Sequence, residues 1–327
     1  MLSIIICHRN IGLLNAIKKN IQCTIGITYE LIIIDNTNNR FSIFSAYNDG
    51  VKKAKYDIIC FVHEDILFHT VDWGKKVVSH FNDPKAGLIG VSGGMAQSAI
   101  PSPWWTNNYF AKSARNLLMK NVEKKNGQLY QYCSNPFNDT DKAEVIIIDG
   151  MWFCARKSLF DKISFDEKTF TGYHLYDADI SMQVSQYAKN YVVFDILIEH
   201  QWAGTISKDY YTDLLKFTDK WQTRLPIQTE KIETDYMLQY NWHALRNLVL
   251  ELKTKDFSKE FVAGIFKKYL PVAKKYSSKW FSAYFFLSKI IGFANANRIF
   301  YKLEKFSGFC KTPDFKKSLY KASMIHE

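Results

Sequence analysis

Short apolar runs alternate with amphipathic stretches along the first ninety residues of the chain. Residues 2–7 form the first apolar run, and residues 30–35 form the second. Between them, apolar side chains recur at four-residue spacing in Leu13, Ile17 and Ile21, which predicts a helix. Strands that are apolar throughout are covered on both faces, as in sheets flanked by crossover helices. The pattern therefore predicts an α/β fold with a mostly parallel sheet and flanking helices.

The hydrophobic pattern changes in the last third of the chain. A helix over residues 176–188 and a strand over residues 191–198 are the last alternating elements, whereas residues 92–144 are predicted to be irregular because of their turn signals. Beyond these elements, apolar positions keep only helical spacing. We therefore predict an α/β domain over residues 1–225 and a helical domain over residues 226–327.

Positive charge is concentrated in the predicted helical part. The 327 residues include 43 Lys plus Arg and 32 Asp plus Glu, and residues 231–327 contribute 18 and 8 of these, which is +10 of the net +11. Basic amphipathic helices with aromatic side chains are typical of proteins that contact anionic membranes, so we expect peripheral contact of this kind. A solvated face over a helical core is the alternative. Nucleic acid is not expected as a partner, because no recognition motif accompanies the charge.

The cysteine pattern favours a cytoplasmic protein with reduced thiols. None of the six cysteines forms a CxxC pair, and three lie in apolar runs that are predicted as core strands. The chain starts on a strand-like run without a signal-peptide pattern. Lys289 interrupts the best candidate for a membrane span, residues 280–293. We therefore expect a cytoplasmic protein whose basic part meets the inner face of the membrane.

Acidic side chains stand singly at the ends of predicted strands. Asp35, Asp65 and Asp149 each follow an apolar run. Ligands of open α/β sheets bind outside the carboxyl ends of the strands. The chain contains no GxGxxG dinucleotide motif, no P-loop and no GxSxG elbow. Isolated acids at such an edge can hold a ribose or a metal-bound diphosphate, which points to nucleotide-sugar chemistry.

Seven short pieces in this order resemble the GT-A fold, family-2-like glycosyltransferases of bacterial polysaccharide assembly. The pieces are residues 3–8, 31–36, 46–50, 58–65, 149–150 and 172–181, and His200 with Trp202 and Gly204. The resemblance covers roughly residues 2–204. It implies a GT-A domain over residues 1–225. The implied enzyme is an inverting hexosyltransferase that moves sugar from a nucleotide-diphosphate donor, a UDP-sugar, to a saccharide or lipid-linked saccharide acceptor in surface polysaccharide assembly.

The resemblance also implies a donor-nucleotide and metal site. The donor-binding positions are Asp35, Asn36, Asn48, Glu64 and Asp65. Residues 63–65 stand where the family has a DxD motif, but His63 replaces the first acid, so only Asp65 matches a metal-contacting position. His200 matches a late histidine beside the leaving diphosphate, and the implied cofactor is Mn²⁺ or Mg²⁺. A strand-end turn residue is the alternative for Asp35, and a polar strand-end residue is the alternative for His200.

The catalytic base implied by the resemblance is Asp177. It matches the second position of the family's Glu-Asp motif, where Tyr176 replaces the Glu, and helix N-capping is its alternative role. The predicted substrate-binding residues are Trp104, Trp105, Trp152, Tyr173 and Asp179. Aromatic rings stack on sugars, but Trp152 lies in a strand-like run and fits a core position equally well.

Two functions from other classes remain open at this level. The missing acids at positions 63 and 176 are also expected of a non-catalytic sugar- or nucleotide-binding module on a decayed transferase fold. The basic C-terminal part is also compatible with a membrane-attached scaffold. Release of sugar from a nucleotide donor would separate the enzyme from both.

Overall fold

A computed structural model provides the coordinates of the protein. It describes residues 1–105, 113–121, 129–202 and 206–273, isolated positions between 283 and 302, and residues 316–319. The strands are β1 (Leu2–His8), β2 (Tyr29–Asp35), β3 (Ile58–Val62), β4 (Ile66–Phe68), β5 (Ala86–Gly90), β6 (Ser92–Gly94), β7 (Ala96–Gln97), β8 (Ser113–Asn121), β9 (Leu129–Ser134), β10 (Lys142–Val145), β11 (Ile147–Ile148), β12 (Trp152–Arg156), β13 (Lys189–Val193), β14 (Ile198–Trp202), β15 (Ile227–Gln228) and β16 (Lys316–Leu319). The helices are α1 (Ile11–Thr24), α2 (Ile43–Lys53), α3 (Trp73–His80), α4 (Tyr176–Val184), α5 (Lys208–Lys220), α6 (Thr234–Thr254) and α7 (Lys259–Ala273), and Lys157–Asp161 forms a 3-10 helix.

The chain divides into two compact units. The first comprises Met1–Gly94, Ser113–Thr205 and Asp314–Glu327, and the second comprises Met95–Lys112 and Ile206–Pro313. Compact units need not coincide with functional domains. The division into domains of residues 1–225 and 226–327 therefore stays a prediction.

The main sheet of the first unit has the strand order β10-β13-β5-β12-β3-β1-β2. Five of these strands run in one direction, whereas β12 and β10 are antiparallel to their neighbours. Strand β1, which lies between β3 and β2, is buried on both faces because α1 and α2 flank its sheet. Its residues Ile4, Ile5 and Ile6 are fully inaccessible. The mostly parallel α/β sheet predicted from the apolar runs is confirmed.

A second sheet in this unit has the order β11-β6-β8-β14-β4, with β9 paired to β8 and β16 paired to β9. Residues 92–144, which were predicted to be irregular, therefore hold several strands. Their side chains mix polar and apolar types, as in the sequence LYQYCS of β9. Such strands lack the continuous apolar run that marks a strand buried on both faces.

Where the structure describes the second unit, its regular elements are helices apart from the short pair β15–β7. Helix α6 buries aromatic and aliphatic side chains, including Tyr240, Trp242 and Leu245. Asn241 on the same helix accepts a hydrogen bond from the Ser98 hydroxyl at 2.7 Å. The predicted helical character beyond residue 226 is thus observed over α6 and α7, and β15 and β16 are the exceptions in the described residues.

The expectation of reduced cysteines is wrong for one pair. Cys60 and Cys154 form a disulfide between β3 and β12. The two strands pair antiparallel with these residues directly opposite, at a Cα–Cα distance of 4.1 Å. Residues 94 positions apart meet only through this strand register, which spacing along the sequence does not reveal.

None of the helices in the described ranges combines the length and the apolar character that a bilayer crossing requires. The best candidate for a span, residues 280–293, lies mostly outside the described residues. The basic residues beyond position 302, on which the predicted membrane contact partly depends, lie outside the described part of the chain except for 316–319.

Candidate active site

Two strand pairings bring distant polar residues to the carboxyl end of β3. Strand β12 runs antiparallel to β3, so the turn that precedes β12 lies beside the residue that follows β3. The His63 N–H accordingly donates to the Met151 carbonyl at 3.0 Å. Strand β14 pairs with β4, and the Gln201 N–H donates to the Asp65 carbonyl at 3.0 Å. This register puts His200 beside Asp65.

His63, Asp65 and His200 form a cluster with the chemistry of a metal site. One ligand atom from each residue lies within 4.8 Å of the other two. His200 Nε2 is 3.4 Å from Asp65 Oδ2, and His63 Nδ1 is 3.8 Å from Asp65 Oδ1. The side chains of His63 and Asp65 are about one-third exposed, at 34% and 29%, so the cluster is open to a ligand. Two imidazoles and a carboxylate fit a divalent transition metal ion.

The protonation states of the cluster also suit metal binding. Burial lowers the pKa of His63, with a further decrease from His200 and an opposing effect from Asp65. Burial alone would raise the pKa of Asp65, but the hydrogen bond and charge of His200 and the charge of His63 hold it below its usual value. Metal ligands must be neutral imidazole and ionised carboxylate. His63 and Asp65 are in these states at neutral pH.

Asp177 lies in the first turn of α4, next to the turn that precedes β12. Its Oδ2 accepts a hydrogen bond from the Gly150 N–H at 3.0 Å, and its Oδ1 accepts one from the Ala178 N–H at 2.8 Å. Burial and the nearby carboxylate of Asp149 raise the pKa of Asp177 to about 7, against the effect of these hydrogen bonds. A carboxylate with such a pKa can accept a proton at neutral pH.

Tyr176 connects the His-Asp-His cluster to the turn that precedes β12. Its hydroxyl is 2.6 Å from His63 Nε2 and donates to the Gly150 carbonyl at 2.9 Å. A Cβ on Gly150 would overlap the Tyr176 hydroxyl and ring edge. Glycine at position 150 is therefore what lets helix α4 approach the turn so closely.

The model of a family described as "Glycosyltransferase like family" matches residues 3–222. The chain belongs to this family. The prediction that the protein is a transferase is confirmed by this membership. The family also agrees with the observed α/β sheet and with the predicted GT-A fold class. A search of curated proteins gave no match.

Solved structures give distant similarity to this glycosyltransferase. GalNAc-T7, solved with UDP, GalNAc and Mn²⁺, is 14% identical with a TM-score of 0.44, over 62% of this chain and 44% of the other. S. aureus TarS, solved in complex with UDP-GlcNAc, is 11% identical with a TM-score of 0.40, over 85% of this chain and 74% of the other. The chain thus spans less than half of the GalNAc-T7 chain.

Two predicted donor-binding asparagines have both sides of their amide bonded to the glycosyltransferase's own backbone. Buried Asn36 accepts from the Phe41 N–H and donates to the Phe41 carbonyl, both at 2.9 Å. Asn48 accepts from the Phe165 N–H at 3.0 Å and donates to the Phe165 carbonyl at 2.9 Å. These side chains hold loops in place, and their contact with a nucleotide stays a prediction.

The predicted donor-binding acids differ in exposure. Asp35 is exposed at the end of β2, where its Oδ1 accepts from the Thr37 N–H and hydroxyl, and these bonds lower its pKa. Its carboxylate is accessible to a donor. Glu64 instead accepts from the backbone N–H groups of Arg9 and Asn10, at 2.9 Å from the latter. Glu64 therefore fastens the loop between β1 and α1 to the end of β3.

The predicted substrate-binding residues are dispersed. Trp152 is fully buried and packs edge-on against Phe68 and Trp73, so the core alternative describes it. Asp179 is also fully buried and accepts from the Gln183 amide at 2.8 Å, which leaves no surface for a substrate. These two placements do not support a substrate contact.

The remaining aromatic candidates are less enclosed. Half-buried Tyr173 lies under the Arg9 guanidinium at 4.8 Å, and its hydroxyl donates to the Phe41 carbonyl at 3.0 Å. Trp104 and Trp105 belong to the second unit, where Trp104 is buried and Trp105 is half-buried against Tyr210. Their role as an acceptor platform stays a prediction.

Sequence reasoning missed His63 and Tyr176 as site residues. His63 replaces the first acid of the DxD motif, so the resemblance assigned it no metal contact, although histidine is itself a metal ligand. A histidine two residues before Asp65, together with the predicted ligand His200, was the available signal. For Tyr176 the sequence showed only that it replaces the Glu of the Glu-Asp motif. Its contact with His63 was hidden because the two residues are 113 positions apart.

We predict that Gly150→Ala destabilises the protein because the added methyl group displaces Tyr176 from its two hydrogen bonds. Overpacking of this kind costs about 1–3 kcal/mol of unfolding free energy. Urea denaturation of the variant measures it. The double variant Gly150→Ala/Tyr176→Phe should lose less than the sum of the single changes, because phenylalanine lacks the overlapping hydroxyl.

Gly264→Ala is the matched control for this experiment. Gly264 lies inside α7, and a Cβ there meets no atom within 4 Å. Alanine favours a helix interior over glycine by about 0.5–1 kcal/mol, so this change should not destabilise. If Gly150→Ala unfolded at the same midpoint urea concentration as the wild type, this result would contradict the close packing of Tyr176 against Gly150.

Proposed function

We propose that this glycosyltransferase is a metal-dependent, inverting enzyme that uses a nucleoside-diphosphate sugar, with a UDP-sugar as donor. The observation that carries the proposal is the convergence of a His-Asp-His cluster and a carboxylate of raised pKa on one edge of the main sheet. Each part assists the displacement of a sugar from a diphosphate. One neutralises the leaving group, and the other accepts the proton of the attacking hydroxyl.

His63, Asp65 and His200 would hold the cofactor. Two nitrogen ligands and one oxygen ligand favour Mn²⁺ over Mg²⁺, which prefers oxygen ligands and near-ideal octahedral geometry. A divalent ion supplies positive charge to the diphosphate oxygens as the glycosidic bond breaks. Asp35, exposed at the neighbouring strand end, is proposed to contact the ribose or uracil.

Asp177 is proposed as the catalytic base. The acceptor hydroxyl gives its proton to the Asp177 carboxylate as its oxygen attacks C1 of the donor sugar. The C1–oxygen bond to the diphosphate breaks in the same step, so a single displacement inverts the configuration at C1. The Gly150 and Ala178 N–H groups fix the orientation of the carboxylate. Burial, together with the nearby carboxylate of Asp149, raises the pKa of Asp177 enough for this transfer.

The acceptor is proposed to be a saccharide or lipid-linked saccharide in surface polysaccharide assembly. Half-buried Trp105 is the proposed aromatic contact of the acceptor, since aromatic rings stack on sugar faces. Buried Trp104 packs edge-on against it at 5.5 Å and is proposed to support this platform. The rival, a non-catalytic binding module, predicts nucleotide-sugar binding without sugar release. The presence of the His-Asp-His cluster beside Asp177, a carboxylate of raised pKa, favours the enzyme over the binding module.

We predict that UDP binds in the presence of Mn²⁺ and that Asp65→Ala weakens this binding. The variant removes the carboxylate between the two histidines and so loosens the bridge from the metal ion to the diphosphate. Calorimetric titration of UDP with and without Mn²⁺ measures the difference. The matched control is Asp195→Ala, which removes a carboxylate that pairs with His80 at 2.8 Å outside the cluster. Equal UDP affinity of wild type and Asp65→Ala with Mn²⁺ present would exclude Asp65 from the donor site.

We predict that Asp177→Asn lowers turnover while donor affinity stays near the wild-type value. A general base contributes about 100- to 10,000-fold to the rate, and it acts on the acceptor and not on the bound donor. A UDP-release assay with a panel of donors and acceptors measures turnover. Because the base must be ionised, the wild-type rate should fall as pH decreases through about 7, the pKa of Asp177, and Asp177→Asn should lose this dependence.

Asp166→Asn is the control for the loss of a backbone-bonded carboxylate. The Asp166 carboxylate accepts hydrogen bonds from the backbone N–H groups of Lys168 and Thr169. It resembles the carboxylate of Asp177 in this respect, but it lies outside the His-Asp-His cluster. This variant should keep wild-type turnover. A turnover of Asp177→Asn above about one-tenth of wild type would fall outside the range for a general base and reduce Asp177 to a helix cap.

We also propose peripheral contact with anionic membranes, supported by the net charge of +10 in residues 231–327. Each basic residue near an anionic surface contributes up to about 1 kcal/mol and is screened within about 8–10 Å at physiological salt. The protein should therefore sediment with anionic vesicles, remain free of neutral ones, and be released by salt on the order of a few hundred millimolar. Equal sedimentation with both kinds of vesicle, or with neither, would show that the charge only solvates the helices.

A further inference from the structure

The hydrogen bonds around Tyr176 determine which nitrogen of His63 carries the proton. The Tyr176 hydroxyl contacts two groups, the Gly150 carbonyl at 2.9 Å and His63 Nε2 at 2.6 Å. A carbonyl oxygen can only accept a hydrogen bond, so the single phenolic proton belongs to the Gly150 contact. The contact with His63 then needs a proton from the imidazole. His63 Nε2 is the donor, and the phenol oxygen is the acceptor.

This assignment leaves the other ring nitrogen of His63 with a free electron pair. A neutral imidazole carries one N–H and one unprotonated nitrogen, and only the latter binds a metal ion. His63 Nδ1 is the nitrogen on the Asp65 side, at 3.8 Å from Asp65 Oδ1. Histidine ligands usually donate their second N–H to a protein oxygen, which fixes both the tautomer and the ring orientation.

We propose that Tyr176 is a positioning residue that holds His63 as its Nε2–H tautomer and so presents Nδ1 to a metal ion shared with Asp65 and His200. This inference rests on the proposed metal-dependent function. It assigns Tyr176 a role in metal affinity, separate from that of its neighbour Asp177 in proton transfer.

The surroundings of Tyr176 make it suitable for this role. Its side chain is 5% exposed and packs edge-on against Tyr47 at 5.6 Å and Phe44 at 6.2 Å. The Gly150 carbonyl fixes the direction of its hydroxyl. A buried ring with a directed hydroxyl can orient a partly exposed imidazole, whereas water at the same place would leave both tautomers populated.

Both contacting residues are departures from the family motifs that the sequence resembles. His63 stands at the first acid of the DxD motif, and Tyr176 stands at the Glu of the Glu-Asp motif. Replacing the acid by histidine keeps a metal ligand but adds a choice of tautomer, and Tyr176 removes that choice. The two residues that depart from the motifs thus contact each other in this structure.

The experiment uses the full-length, metal-free protein labelled with ¹⁵N, at a pH about one unit above the usual histidine pKa of ~6.5. Long-range ¹H–¹⁵N correlation spectra identify which nitrogen of His63 carries the proton, with the signal assigned by its loss in His63→Ala. Calorimetric titration with MnCl₂ measures metal affinity. The test variant is Tyr176→Phe, which removes only the hydroxyl.

Tyr47→Phe is the matched control. Tyr47 is a fully buried tyrosine that contacts Tyr176, and its hydroxyl has no hydrogen-bond partner among the described residues. Its hydroxyl therefore has no part in orienting His63. Both variants remove one buried oxygen atom, so a difference between them reports on the hydrogen bond to His63 and not on packing.

We expect His63 of the wild type to be the Nε2–H tautomer. Tyr176→Phe should show a mixture of tautomers and a Kd for Mn²⁺ raised about 10- to 100-fold, as for other residues that support a metal ligand. Tyr47→Phe should match the wild type in both measurements. A wild-type Nδ1–H tautomer would overturn the proposal even if Tyr176→Phe failed to fold. Unchanged Mn²⁺ affinity and tautomer in Tyr176→Phe would also overturn it.

His63→Ala separates this inference from the proposed function. Loss of Mn²⁺ binding in that variant supports the metal site whatever the tautomer. If Mn²⁺ binds equally to wild type and His63→Ala, the His-Asp-His site fails, and with it the role of Tyr176 in metal affinity. In that case the tautomer spectrum still tests the hydrogen bond between His63 and Tyr176. Failure of the metal site and failure of the tautomer assignment can therefore be told apart.

Discussion

The antiparallel pairing of β12 with β3 is the constraint on which the site depends. Because β12 runs against its neighbours, it begins at the edge where β3 ends. The turn with Asp149 and Gly150 is thereby held beside His63, through the bond from the His63 N–H to the Met151 carbonyl. Helix α4 then bonds to Gly150 from both sides, with Tyr176 at its carbonyl and Asp177 at its N–H.

Burial shifts the pKa values of His63 and Asp177 in opposite directions, and each shift suits the proposed role of its group. It disfavours charge, so it lowers the pKa of His63 and raises that of Asp177. A neutral imidazole is ready to bind a metal ion, and a carboxylate that titrates near pH 7 is ready to take a proton. Asp65 remains ionised because His200 and His63 compensate its burial. The carboxyl end of β3 therefore holds groups suited to two chemical roles, metal binding and proton transfer.

Loop-anchoring residues show why a motif can be present without marking a ligand contact. Asn36 and Asn48 both fall in pieces that resemble the family, yet each bonds both ends of its amide to a single backbone residue. The partner of Asn48 is Phe165, 117 positions away. The sequence alone does not distinguish an asparagine bonded in this way from one that binds a nucleotide.

The sequence by itself determined the α/β class with a mostly parallel sheet and the acids at the ends of its strands, because strands buried on both faces need continuous apolar runs. It did not reveal that β12, in the middle of the sheet, runs against its neighbours. The resemblance of the sequence to a known family also indicated Asp65, His200 and Asp177 as candidate site residues. Tertiary structure decided which groups meet. The register of β12 on β3 paired Cys60 with Cys154 and buried Trp152, and the approach of α4 to Gly150 joined Tyr176 to His63. These contacts depend on strand order and helix docking between distant segments, and no local pattern of residues encodes them.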